Sequence, residues 1–195
     1  MVVAVGPGRR IDIGGVKLYL HASGEGQGPT VILESGNLMP AVLWEPVQAR
    51  VGRFARVVSY DRAGYGWSDP AGRNRSWPVV VDELHTLLQR AGIRGPYILV
   101  GHSLGGLYVR LFAARYPTEV AGMVLVDAWQ EDLRRNLPPS HHRLDWWSRR
   151  LMVLLCALGI MRAAVRRNPG ILAGGDGSWL EQFPPERRAA LFGAL

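Results

Sequence analysis

Short β-branched runs alternate with helical stripes through the first two-thirds of the chain, which predicts a mostly parallel sheet covered by helices. Residues 11–13 and 16–21, on either side of Gly14-Gly15, read as a hairpin. Residues 30–34 form a short apolar strand that stops at Ser35-Gly36. Trp44, Val47, Val51 and Phe54 then recur at helical spacing. Residues 56–60 are the next strand, and a glycine-rich loop follows. Ser76 is placed to cap a helix with Val80, Leu84, Leu87, Leu88 and Ala91 on its inner face. Gly95-Pro96 leads into a buried strand at 97–100. From Ser103 a helical stripe runs through Leu104, Leu107, Tyr108, Leu111 and Phe112 and is broken by Pro117. Residues 121–126 make a further strand that ends at Asp127.

After Ala128 strand signals vanish. Trp147, Leu151, Leu154, Leu155 and Leu158 fall at i, i+4, i+7, i+8 and i+11, so this part reads as helical. The expected organisation is an α/β core over residues 1–128 and a helical cap or lid segment over 129–195. The apolar run 151–161 lies between Arg149-Arg150 and Arg162, Arg166 and Arg167. It is shorter than the roughly 20 residues a bilayer span requires. It suits a cap over an acyl-binding cleft, an interfacial helix touching a membrane through 149–167, or a surface awaiting further strands.

At 195 residues and 48% hydrophobic content the chain can bury a core. Cys156 is its one cysteine, which excludes an internal disulfide framework, and residues 1–10 lack the apolar stretch of a secretory signal. A cytoplasmic protein is expected. The net charge of +7 is almost wholly arginine, since Lys17 is the one lysine. The arginines are scattered through both halves rather than gathered in a stripe, so nucleic-acid binding is not expected.

The chemistry-bearing motif is Gly101-His102-Ser103-Leu104-Gly105-Gly106. A buried strand enters it and a helix leaves it, the setting a G-x-S-x-G nucleophile elbow needs. Glycines flank the serine because the turn is too tight for Cβ atoms there. The glycine spacing fits neither a P-loop nor a dinucleotide fingerprint. In this motif the chain resembles the α/β-hydrolase superfamily, in its branch of serine esterases and related acyl hydrolases. Val31-Ile32-Leu33-Glu34 running into Ser35-Gly36-Asn37 stands where that family has its oxyanion-hole loop. Residues 60–69 resemble its D-x-x-G-x-G-x-S segment, and Val124-Leu125-Val126-Asp127 its sixth strand. The match in order and spacing runs from about residue 11 to 128.

The resemblance implies the α/β-hydrolase fold, here its first six strands with helices on both faces. It implies Ser103 as nucleophile and the backbone N–H groups of Leu104 and Asn37 as the oxyanion hole. Ser35-Gly36 replaces the commoner His-Gly, which a backbone donor tolerates. Asp61 and Arg62 read as loop architecture, with Tyr65 or Trp67 available to face substrate. The family's acid usually follows its seventh strand, though a few members place it after the sixth. Asp127 is thus a candidate acid, with a strand-end carboxylate bracing the next segment as the alternative. Of the five histidines, His21, His85, His102, His141 and His142, none stands where the family's general base belongs. The expected protein is therefore a serine hydrolase cleaving a carboxylic ester or related acyl bond through an acyl-serine, its sequence stopping before the histidine. The alternative is a catalytically incomplete fragment that binds a ligand or partner. No metal or organic cofactor is expected, and the partner is a small acyl or ester substrate. An elbow serine disfavours the dehalogenase and epoxide hydrolase branches, which carry aspartate there.

Overall fold

The computed structural model describes residues 7–70, 72 and 75–130, and beyond them 150–151, 154–155, 158–160 and 163–164. The chain divides into two compact units, the first running through Gln130. In this first unit the strands are β1 (Arg9–Asp12), β2 (Lys17–Ser23), β3 (Thr30–Glu34), β4 (Val57–Tyr60), β5 (Tyr97–His102) and β6 (Val120–Val126). They form a six-stranded sheet in the order β1-β2-β4-β3-β5-β6. β1 and β2 are antiparallel to their neighbours, and the β4-β3-β5-β6 part is parallel, as the alternating pattern predicts.

Period-two alternation sends side chains of one strand to two cores. Ile32, Val58 and Leu99 join Leu84, Leu87 and Leu88 of α2 (Trp77–Arg90) and Val109 and Phe112 of α3 (Gly105–Arg115). Val31, Leu33 and Val57 meet Trp44 and Val51 on the opposite face, where α1 (Glu45–Val51) lies. Helices thus cover both faces.

Two local expectations need correction. α1 ends before Phe54, which is exposed, and the residue it buries is Gln48. The Gln48 amide donates to the His21 carbonyl and the Ser23 hydroxyl, each at 3.1 Å, and accepts from the Ser59 hydroxyl at 2.6 Å. A fully satisfied amide can be buried, and this one ties α1 to β2 and β4. Ser76 occupies the N-cap of α2 in extended backbone, but its side chain makes no capping bond. In β6, Met123, Val124, Leu125 and Val126 are all exposed.

In the second unit the described residues include helical turns at 150–151, 154–155 and 163–164. Leu151, Leu154 and Leu158 there are exposed. No helix among the described residues is long and apolar enough to cross a membrane.

Candidate active site

β5 delivers Gly101 and His102 to the C-terminal edge of the sheet, and the chain reverses at Ser103 with φ of 50°. A non-glycine residue in left-handed backbone costs about 1–2 kcal/mol, so the surroundings must enforce it. The Ser103 N–H donates to the Val126 carbonyl at 3.1 Å. The Ser103 carbonyl accepts from the N–H groups of Gly106 at 3.0 Å and Trp129 at 2.9 Å. Leu104 returns to right-handed backbone and caps α3, which leaves its N–H in the positive first turn of that helix.

The glycines set the clearance. A Cβ on Gly101 would lie 2.6 Å from Val109 Cγ2 and 2.7 Å from the Gly105 carbonyl. One on Gly105 would meet the Glu34 carbonyl at 2.5 Å and the Ser35 carbonyl at 2.7 Å. Those obstacles are main chain, which cannot swing aside. Gly105→Ala is therefore expected to destabilise the fold by about 1–3 kcal/mol. Gly122→Ala, whose added Cβ meets nothing within 4 Å, should leave stability within about 1 kcal/mol of the parent. Urea unfolding of the two variants measures the contrast.

The loop after β3 stands beside the elbow. A Cβ on Gly36 would come within 3.2 Å of Ser103 Cβ and 3.1 Å of His102 Nδ1, so glycine here lets the two loops approach without either giving way. Asn37 follows, exposed, and Leu38 is left-handed at φ of 56°. The structure thus brings Ser103 and Gly36 together, with Leu104 and Asn37 their respective neighbours along the chain.

A buried charged network underlies this loop. Glu34 is fully buried at the end of β3, accepting from the Tyr60 hydroxyl and forming an ion pair with Arg62. Burial raises the Glu34 carboxyl above its ordinary range, against the pull of Arg62 and the Tyr60 hydroxyl. Burial works against the Arg62 charge as well, but Glu34, Tyr60 and Tyr65 together outweigh it and hold the guanidinium firmly protonated. Arg62 also donates to the Ser35 carbonyl at 2.7 Å and the Gly36 carbonyl at 2.5 Å. Asp61 accepts from the Ala41 N–H at 2.6 Å and the Trp67 N–H at 3.0 Å, an architectural role. The Tyr65 hydroxyl donates to Asn37 Oδ1 at 3.0 Å and accepts from the Leu38 N–H at 3.3 Å. Trp67 packs on Tyr19 with ring centroids 4.7 Å apart.

Sequence reasoning missed the reach of Arg62 into the Ser35–Gly36 loop. The one signal was a carboxylate, Glu34, closing an otherwise apolar buried strand, which demands a partner.

Asp127 follows β6, exposed, with φ of 42°. Two residues on, the Trp129 N–H binds the Ser103 carbonyl, so this turn abuts the elbow main chain. His21 lies on β2 opposite Ser59. His85 pairs with Glu119 at 2.9 Å and stacks on Tyr116 at 3.9 Å between centroids. His102 meets Trp44 edge to face at 6.4 Å, on the α1 side of the sheet. His141 and His142 lie outside the described residues.

A family model described as alpha/beta hydrolase fold matches residues 29–169. An uncharacterized protein of Schizosaccharomyces pombe is 49% identical over 73 residues, which are 37% of this chain and 14% of that protein. The 2-(acetamidomethylene)succinate hydrolase of Mesorhizobium japonicum is 32% identical over 119 residues, 61% of this chain and 42% of that enzyme. Among solved structures, Cfl2 of Burkholderia cenocepacia is similar with a TM-score of 0.61 and 29% identity, over 68% of this chain and 44% of that one. The chain thus spans less than half the length of these relatives.

Proposed function

We propose that this chain, which belongs to the alpha/beta hydrolase fold family, carries the nucleophile and oxyanion hole of a serine hydrolase acting on a carboxylic ester or related acyl bond. One observation carries the reading: Ser103 is held left-handed between a strand and a helix, with the glycine of the β3 loop against its Cβ. Strain of this kind persists where function selects it. Ser103 Oγ attacks the acyl carbon and forms an acyl-serine with loss of the alcohol. The N–H groups of Leu104 and Asn37 hold the oxyanion, the first aided by the helix terminus. A serine hydroxyl needs a base to take its proton, and the described histidines are engaged elsewhere. A histidine outside the described residues is assigned that role, with Asp127 as candidate acid. The exposure of Asp127 beside the elbow supports that choice.

A fluorophosphonate probe tests the reading on the 195-residue chain. Covalent labelling that disappears in Ser103→Ala supports an activated serine. Absence of labelling favours the alternative, a hydrolase-fold segment that binds a ligand or partner without turnover.

The exposed Leu151, Leu154 and Leu158 favour a second property, peripheral membrane contact through the arginine-flanked segment 149–167. Cosedimentation with anionic vesicles that weakens as salt rises is the expected result; no cosedimentation at low salt would sink it.

A further inference from the structure

Arg62 makes more contacts than an ion pair requires. It is 4% exposed, and its guanidinium lies over the rings of Tyr65 and Tyr108, 4.7 and 5.2 Å from their centroids. Nη1 donates to the Glu34 carboxylate and the Ser35 carbonyl, and Nη2 to the Gly36 carbonyl. These acceptors belong to three consecutive residues, leading from β3 into the loop beside Ser103. Neutralising Glu34 would engage only the first of them.

The two carbonyls have a geometric consequence. A trans peptide is planar, with its C=O and N–H pointing in opposite directions. The one cis bond among the described residues is Gly95–Pro96, so the peptides following Ser35 and Gly36 are trans. Fixing the Gly36 carbonyl on Arg62 turns the Asn37 N–H away from Arg62, and fixing the Ser35 carbonyl does the same for the Gly36 N–H. Ser103 borders Gly36, its Cβ 3.2 Å from where a glycine Cβ would stand. At the far end of the loop, the Tyr65 hydroxyl holds both the Asn37 side chain and the Leu38 N–H.

We propose that Arg62, with Tyr65, is a positioning residue that sets the orientation of the Gly36–Asn37 peptide so that its N–H faces the Ser103 oxyanion. The inference rests on the serine-hydrolase reading above. Arginine suits the task because a planar fork reaches a carboxylate and two carbonyls at once, whereas the lysine ammonium is a single point. Neither residue touches the reacting atoms, so the effect belongs to kcat: an oxyanion donor acts on charge that develops only in the transition state.

The test uses Arg62→Lys and Tyr65→Phe in the 195-residue chain, with p-nitrophenyl acetate turnover and amide hydrogen exchange at Asn37 as readouts. Loss of one oriented donor predicts kcat lower by about 100-fold in Arg62→Lys. Loss of the two hydrogen bonds of the Tyr65 hydroxyl predicts kcat lower by about 3–10-fold in Tyr65→Phe. KM should stay within about twofold in both. Tyr65 is half-exposed, so Tyr65→Phe should melt with the parent and decides the matter if Arg62→Lys does not fold. Unchanged kcat, or KM moving as much as kcat, in the folded variants overturns the inference. If the parent shows no turnover that depends on Ser103, the serine-hydrolase reading falls and amide exchange decides. Faster Asn37 exchange in the variants then supports the orienting role, and unchanged exchange overturns it.

Discussion

Ser103→Gly is expected to reduce ester turnover about ten-thousand-fold or more while making the fold more stable. The first half follows from removing the atom that forms the acyl bond, since loss of a serine nucleophile leaves only oxyanion stabilisation and binding. The second half follows from the backbone. At φ of 50° a side chain at 103 costs about 1–2 kcal/mol, which glycine avoids. Glycine gives back about 0.5–1 kcal/mol through the greater freedom of its unfolded chain. The net gain is about 0.5–1 kcal/mol. Ser103→Ala should lose turnover equally but keep the strain, and so unfold at the same urea concentration as the parent. Turnover retained in either variant would show that the hydrolysis happens elsewhere. Ser103→Gly no more stable than Ser103→Ala would show that the elbow stores no strain.

Arg62→Met should produce the largest loss of stability, about 3–5 kcal/mol at neutral pH, by leaving Glu34 buried without its cation. The loss should depend on pH in a definite direction. Burial already raises the folded-state pKa of Glu34 above the ordinary 4.5, and Arg62 opposes that rise. Removing Arg62 raises it further. A carboxyl with a raised folded pKa favours the folded state fully below its unfolded pKa and loses that advantage as pH rises through the folded one. The gap between Arg62→Met and the parent should therefore be smallest in acid and widen once pH passes the parent's raised folded pKa, by as much as about 1.4 kcal/mol per pH unit until the variant's is passed. Glu34→Ala leaves a guanidinium that cannot discharge, so its cost should not shrink in acid. A double variant, Glu34→Leu with Arg62→Met, should recover much of the loss, because the burial penalty goes with the charges. Urea unfolding at pH 5 and pH 8 measures all four. A gap independent of pH would contradict a strongly buried Glu34.

Much of the fold was legible because the parallel strands read as short apolar runs, of which β3 and β4 are buried on both faces. The segment at 30–34 and the strand entering Gly101 were clear for that reason. The elbow was equally plain, since each glycine around Ser103 answers a local steric demand. The face of α1 was not. Gln48 is buried because three polar groups on β2 and β4 receive its amide, and those groups lie 11–27 residues away. Periodicity weighs a residue by its polarity and cannot see such partners. Glu34 and Arg62 escaped likewise, being 28 positions apart and meaningful only as a pair. The exposure of β6 was hidden by its composition, because Met-Val-Leu-Val reads the same whether or not something covers it.

The clearance at the elbow also bears on how such a site can change. Gly36, Gly101 and Gly105 are constrained by the absence of a Cβ, whereas the proposed oxyanion donors are main-chain groups of Asn37 and Leu104. A main-chain donor places no demand on the side chain beside it. Asn37 is tied to Tyr65 through its side chain and Leu38 takes left-handed backbone, so replacements that keep those two features can vary the exposed mouth of the loop while the hole keeps its form. Adaptation to a new acyl group can proceed by such substitutions without first dismantling the catalytic geometry.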